Sequence, residues 1–245
     1  MTFIFPRSWL SGLILSAAGG TTTFGVTAGQ CADSTNAAIM NVPAALTKTV
    51  SSDWSAGNGG GALDTGPTTA NTWYHVFAIS DAVGVTTDIL VSLSPTAPTL
   101  PAGFTLFRRI GAMKTDGSFH WTAFTQFGDE FFWLAPPQDL GATVGAGSTV
   151  LITLTVPSGV AVEALLDCEW VSSASATDSA VSIQPTFVTS FTVQSLFSVG
   201  AGNPVAGQFR FLTNVSRQIQ AQGLSQPGTL TIWTLGWRDQ RGKDG

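Results

Sequence analysis

The stretch Arg108 to Leu134, RRIGAMKTDGSFHWTAFTQFGDEFFWL, limits the fold more than any other part of the chain. It reads as short strands broken by tight turns. Ile110, Ala112 and Met113 lead into Asp116-Gly117, a dipeptide that tolerates the positive φ angles of a hairpin. Phe119, Trp121 and Ala123 then alternate with His120, Thr122 and Phe124, a period of two that predicts a strand. Gly128-Asp129 supplies the next turn, and Phe131, Phe132 and Trp133 open another strand. Nothing here has the spacing of a catalytic or metal-binding motif. A rigid β scaffold that displays surface is the expectation for the whole molecule.

The rest of the chain has the same texture. TWYHVFAI (Thr72–Ile79) and TDILVSL (Thr87–Leu93) predict two buried strands joined through Asp81 and Gly84. Pro95 to Pro101 holds three prolines, which remove ladder donors and exclude an interior strand. Ser55–Thr69, SAGNGGGALDTGPTT, is glycine-rich and aperiodic and reads as a loop. It lacks the Lys-Ser or Lys-Thr of a phosphate loop. Strands then recur at intervals of roughly ten residues from Thr149 onward, which suits a sandwich or jelly roll. No amphipathic helix of three turns and no fixed-period repeat stands out. The expected fold is all-β, in two consecutive β-rich domains. These are an N-terminal domain over residues 1–137, a junction at 138–148, and a C-terminal sandwich or jelly roll over 149–245.

Charge narrows the partners. Charged residues make up 10% of the 245 residues, against about 25% in ordinary soluble domains. Thr, Ser, Gly and Ala fill the difference, as in a β protein that hides surface in an oligomer. A net charge of -5 with only ten Lys and Arg argues against phosphate-backbone binding, so no nucleic-acid partner is expected. The densest basic group, Arg238, Arg241 and Lys243, is interrupted by Asp239 and Asp244. The N-terminal MTFIFPRSWLSGLILSAAGG has the layout of a weak signal peptide. Pro6, Arg7, Ser11 and Gly12 interrupt it, and its apolar run is far short of the ~20 residues of a membrane span. Trp9–Ser16 reads instead as a first strand or a docking segment, with no membrane insertion.

Chemistry is sparse. Cys31 and Cys168 read as buried free thiols, and with His75 and His120 they offer no ligand spacing, so neither metal nor cofactor is expected. Asp167 and Glu169 would share one face of a strand, a weak opening for a two-carboxylate glycosidase. Solvated carboxylates fit them better. Asp129-Glu130 reads as a turn, with a calcium site as the lesser alternative. No Ser-His-Asp arrangement or GxSxG elbow is present, so no catalytic residue is named. The aromatic residues say more. Trp54, beside the glycine-rich loop, is a candidate platform for stacking a sugar. Trp73, Trp121, Trp133, Trp233 and Trp237 sit in strand patterns and read as core or subunit interface. Trp170, at a strand end, stays open between the two roles. Arg108-Arg109 would bind an anionic surface glycan, or make intersubunit salt bridges with residues such as Asp88 or Asp116.

Several phrases in order carry a resemblance. They are AGQCADSTN (Ala28–Asn36), ALTKTVSSDWSAGNGGGALDTG (Ala45–Gly66), WYHVFAI (Trp73–Ile79), DILVSLSPTAPTLPAGFTLFRRIGAMKTDGS (Asp88–Ser118) and TLGWRDQRGKDG (Thr234–Gly245). This order resembles tailed-bacteriophage structural proteins of the tail fibre, tail appendage or minor tail kind. It is strongest over Ala28–Leu134 and from Thr231 on; Thr149–Gln222 matches only in texture. The resemblance implies a non-enzymatic virion component, homotrimeric, assembled in the host cytoplasm. Other tail or baseplate proteins would be its partners, and a host cell-surface glycan its possible ligand. The alternatives are a carbohydrate-active spike (lectin or depolymerase) and a capsid decoration or head fibre.

Overall fold

The computed structural model describes residues 8–173 and 178–243. Pro6, Arg7 and Asp244, weighed above, lie outside the described residues. The chain is all-β and has no helix among those residues. It forms two compact units: Met1–Leu134 together with Asp239–Gly245, and Ala135–Arg238.

Unit 1 contains β1 (Leu10–Gly12), β2 (Leu15–Ser16), β3 (Thr23–Val26), β4 (Gly29–Ala32), β5 (Ile39–Val42) and β6 (Leu46–Asp53). It continues with β7 (Gly61–Leu63), β8 (Trp73–Asp81), β9 (Thr87–Ser92), β10 (Phe104–Lys114), β11 (Phe124–Phe127) and β12 (Glu130–Trp133). Seven strands make one sheet in the order β10-β8-β9-β7-β6-β3-β2, and β1-β4-β5 make a second. β8, between β10 and β9, is buried from Trp73 to Ser80. Such a continuous apolar run is what a strand covered on both faces requires. Phe77, Ile79 and Leu90 form a buried cluster, with Trp54, Leu100, Phe104 and Phe107 packed on it. The β8–β9 turn is set by Asp81, whose carboxylate accepts the N–H groups of Val85 and Thr86.

The Gly128-Asp129 turn forms as expected. Phe127 pairs with Glu130, and Gly128 takes a φ of +58°. The strand expected over Phe119–Phe124 does not form. Asp116 accepts the N–H groups of both Ser118 and His120, which folds the segment into a side-chain-capped turn. Phe119 is left at a φ of +65°. A regular strand starts only at Phe124. Trp121 still reaches the core, edge-on to Phe24 and Tyr74.

Unit 2 contains β13 (Gln138–Val144), β14 (Thr149–Thr153), β15 (Glu163–Ser172), β16 (Ser179–Pro185), β17 (Leu196–Ser198), β18 (Pro204–Leu212), β19 (Gln218–Gly223) and β20 (Gly228–Arg238). β13, β20, β15 and β18 are antiparallel neighbors in that order, as are β14, β19, β16 and β17. β15 buries Ala164, Leu166, Cys168 and Trp170 on one face, and β20 and β19 alternate in the same way. Gly228 sits directly under Trp170. A Cβ there would lie 2.3 Å from the indole, so only glycine lets the strands close.

The observed division corrects two readings. The segment 138–148 is no junction, because Gln138–Val144 is a strand paired along β20. The ladder runs from Gln138 to Val144 with a bulge at Asp139. The last residues, from Asp239, belong to unit 1 and not to the C-terminal domain.

Candidate functional site

The densest polar structure is in unit 1, where the C-terminal segment docks. A bulge at Ile110 interrupts the pairing of β10 with β8, and the adjacent Arg108 and Arg109 are both buried. Arg109 meets Asp239 with two parallel bonds, Nη1 to Oδ1 at 2.7 Å and Nη2 to Oδ2 at 2.6 Å. Its Nε donates to Nδ1 of His75 at 3.0 Å. Asp239 also accepts the N–H of Arg241 at 2.8 Å. Burial alone would raise the Asp239 pKa, but the Arg109 guanidinium and these donors hold it below the usual carboxylate range.

Arg241 is buried beside this pair. Its guanidinium donates to the carbonyls of Ile110 (2.8 Å), Gly12 (3.1 Å), Leu13 and Gly128 (3.4 Å). Burial pulls its pKa down to about 10, against the opposing pull of Asp129 and Asp239. Lys243 closes the segment on Asp129 at 2.6 and 2.7 Å. One short peptide therefore crosslinks β1, β10 and the β11–β12 turn through charged hydrogen bonds, and Arg109 carries the link on to His75 of β8.

A second polar node holds the glycine-rich loop. The Lys48 ammonium, fully buried, donates to the carbonyls of Ser55 (2.7 Å) and Gly57 (3.2 Å) and lies 3.2 Å from Asp88. Asp88 in turn accepts the N–H of Gly57 at 2.8 Å. Burial lowers the Lys48 pKa, and Asp88 partly restores it. The loop is thus folded around a buried ion pair. Beside it opens a shallow cleft of about 570 Å³. The hydroxyls of Ser51, Ser52 and Thr68 and the carboxylate of Asp53 line it, with Leu63 and Pro67 as its apolar part. Thr68 donates to the carbonyl of Val50, whereas the Asp53 carboxylate is exposed. Such a lining can hydrogen-bond a neutral polyhydroxy ligand.

The four candidate binding residues lie elsewhere. Trp54 packs edge-on against Phe104 at 5.1 Å, with the Lys48 ammonium 5.6 Å from its ring, so the half-buried indole is held against the core cluster. Arg108 is buried and donates to the carbonyl of Arg241; Arg109 is bound to Asp239 and His75. Neither presents a cation to a surface glycan. Within the chain, Asp88 serves Lys48 and Asp116 serves the Ser118–His120 turn. Trp170 is fully buried in unit 2 and donates Nε1–H to Ser179 Oγ at 2.6 Å. The signal overlooked was the pairing of Arg108-Arg109 with Asp239 and Arg241. Nothing local in sequence joins two segments 130 residues apart.

Asp167 and Glu169 share the half-buried outer face of β15, as their spacing requires, and neither lines the cleft. Asp129 is held by Lys243, and no group of three or more potential metal ligands occurs among the described residues. Cys31 and Cys168 are buried free thiols, each pushed up to about 12 by burial. No described helix is long and apolar enough to cross a membrane. No family model, curated protein or solved structure matches this chain.

Proposed function

We propose that this chain is a non-enzymatic structural component of a tailed-phage virion, a tail fibre or receptor-binding appendage that contacts the host surface. In this reading unit 2 is a sandwich or jelly roll. The chain assembles as a trimer on other tail or baseplate proteins, in the virion tail, after synthesis in the host cytoplasm. The observation that carries the reading is where the few charges sit. Lys48, Asp88, Arg108, Arg109, Asp239 and Arg241 are buried in internal locks. Large apolar side chains, by contrast, lie open to solvent. Val83, Val85, Phe127, Phe187 and Val193 are each at least two-thirds exposed. A rigid body with such a surface suits a chain built into a larger assembly. The phrase order that resembles phage tail proteins supplies the class.

Immunogold labeling of particles with antibody to this chain tests the reading. Gold at the tail supports it, gold on the head moves the chain to capsid decoration, and unlabeled particles overturn it. The cleft of Ser51, Ser52, Asp53 and Thr68 favors a second reading, a carbohydrate-binding spike. Soluble host polysaccharide would then bind the protein, and Asp53→Ala would weaken that binding. Shortening of the polysaccharide would instead mark a depolymerase.

A further inference from the structure

The outer edge of β18 in unit 2 is not accounted for by anything above. β18 pairs with β15 without a bulge, from Leu212 opposite Glu163 to Pro204 opposite Val171. It pairs with no other strand among the described residues. None of its nine residues is buried. Native edges are usually protected by bulges, interior prolines or several charges. This one has no bulge, a proline only at its first position, and a single charge, Arg210. β17 adjoins it, and Phe197 on β17 and Val199 just after it are exposed, as is Leu212 on β18.

Charge on the solvent face is uneven. β15 places Glu163, Asp167 and Glu169 there, and β18 places Ala206, Gln208, Arg210 and Leu212. Glu163 is compensated, with Arg210 at 3.4 Å and Arg238 as its partner on β20. Asp167 and Glu169 have no salt-bridge partner among the described residues.

We propose that β18 pairs antiparallel with β18 of a second copy of this chain, about a two-fold axis at Gln208. In that register Arg210 of one copy lies opposite Ala206 of the other. The neighbor of Ala206 on β15 is Glu169. The small Ala206 side chain leaves the guanidinium a path across to that carboxylate. The contact is isologous, so each copy compensates the Glu169 of the other. An axis at Arg210 would set two guanidinium groups opposite each other, which is unfavorable. An axis at Ala206 would carry Arg210 past the end of the opposing strand. The pairing continues the β13-β20-β15-β18 sheet of one copy into that of the next. It does not rest on the virion reading, and it joins copies in pairs whatever other contacts an assembly makes.

Gln208→Cys in the full chain tests the axis. Residues directly opposite have Cβ atoms about 4.5–5.5 Å apart, within reach of a disulfide after small adjustment. Cys31 and Cys168 are buried and do not compete. Mild oxidation is expected to give a covalent dimer from Gln208→Cys and none from Leu212→Cys. Arg210→Glu is expected to weaken association at least about tenfold, as loss of a facing charge pair does, and adding Glu169→Arg is expected to restore it. No crosslink at Gln208, equal crosslinking from both positions, or a charge reversal without effect overturns the proposal. A trimer by light scattering with no crosslink at Gln208 also overturns it and leaves the virion reading standing.

Discussion

The two units solve the problem of a small charge complement in opposite ways. Unit 1 buries its ions: Lys48 with Asp88, Arg109 with Asp239, and Arg241 among carbonyls. Unit 2 builds its core from Leu166, Trp170, Ile183, Ile219 and Ile232, and its ion pair of Arg210 with Glu163 lies on the surface. A buried ion pair adds little net stability over a well-packed apolar pair, because desolvation cancels most of the attraction. What it adds is a severe penalty for any arrangement that separates the partners. In unit 1 that penalty fixes which segments meet. In unit 2 the fit of apolar side chains does most of this, as where Gly228 admits the indole of Trp170.

The contrast can be broken most sharply at Asp239. Asp239→Ala leaves the Arg109 guanidinium buried without its partner, and a loss of about 3–5 kcal/mol is expected. Hydrogen exchange followed by peptide should show β8 and β10 opening while β15 and β20 keep their protection. Equal loss in both units would erase the distinction. In unit 2 the corresponding change is Trp170→Phe, which leaves the buried Ser179 hydroxyl without the indole N–H. The expected cost is about 1–3 kcal/mol, read from chemical denaturation of β15 and β20.

Acid sharpens the comparison. Asp33 and Asp239, both in unit 1, are held below the ordinary carboxylate range. Burial would raise the Asp33 pKa, but the hydroxyl of Thr35 and the N–H groups of Ala38, Thr35 and Ala37 overcome it. A carboxylate with a depressed folded pKa contributes stability that is complete above its unfolded value, about 3.9, and is lost as pH falls through the folded value. The β8–β10 region is therefore expected to lose protection progressively below about pH 4. Asp239→Asn should abolish the Asp239 part of that dependence. The smallest effect is expected on the surface of unit 2. Arg210→Ala removes an exposed pair and should change the stability of unit 2 by at most about 1 kcal/mol. Thermal melting at a concentration too low for association would check this.

The strands were legible where a single pattern governed them. β8 and β9 show as apolar runs closed by Asp81, and the Gly128-Asp129 turn shows as a dipeptide. Legibility failed where two signals competed. Around Phe119 the aromatic alternation spoke for a strand, but the Asp116 carboxylate captured the backbone first. Along Gln138–Val144 the glycine content spoke for a junction, yet the ladder to β20 decided the structure. The binding residues failed for a different reason. Arg108, Arg109, Trp54 and Trp170 have side chains that serve equally well outside or inside, and only a distant partner settles which. Asp239 for Arg109, 130 residues away, is such a partner. The cleft left no sequence signal beyond a run of hydroxyls near a glycine-rich loop.

The docking of Asp239–Lys243 also governs the order in which the molecule can be made. Those residues follow all of unit 2 in the chain but complete unit 1. On the ribosome, the strands of unit 1 through β12 emerge before unit 2, and Arg109 lacks its carboxylate partner Asp239 until the whole of unit 2 has been translated. A premature stop anywhere in unit 2 would therefore spoil both units at once. Chains that present a finished unit 1 would be those that had been read through.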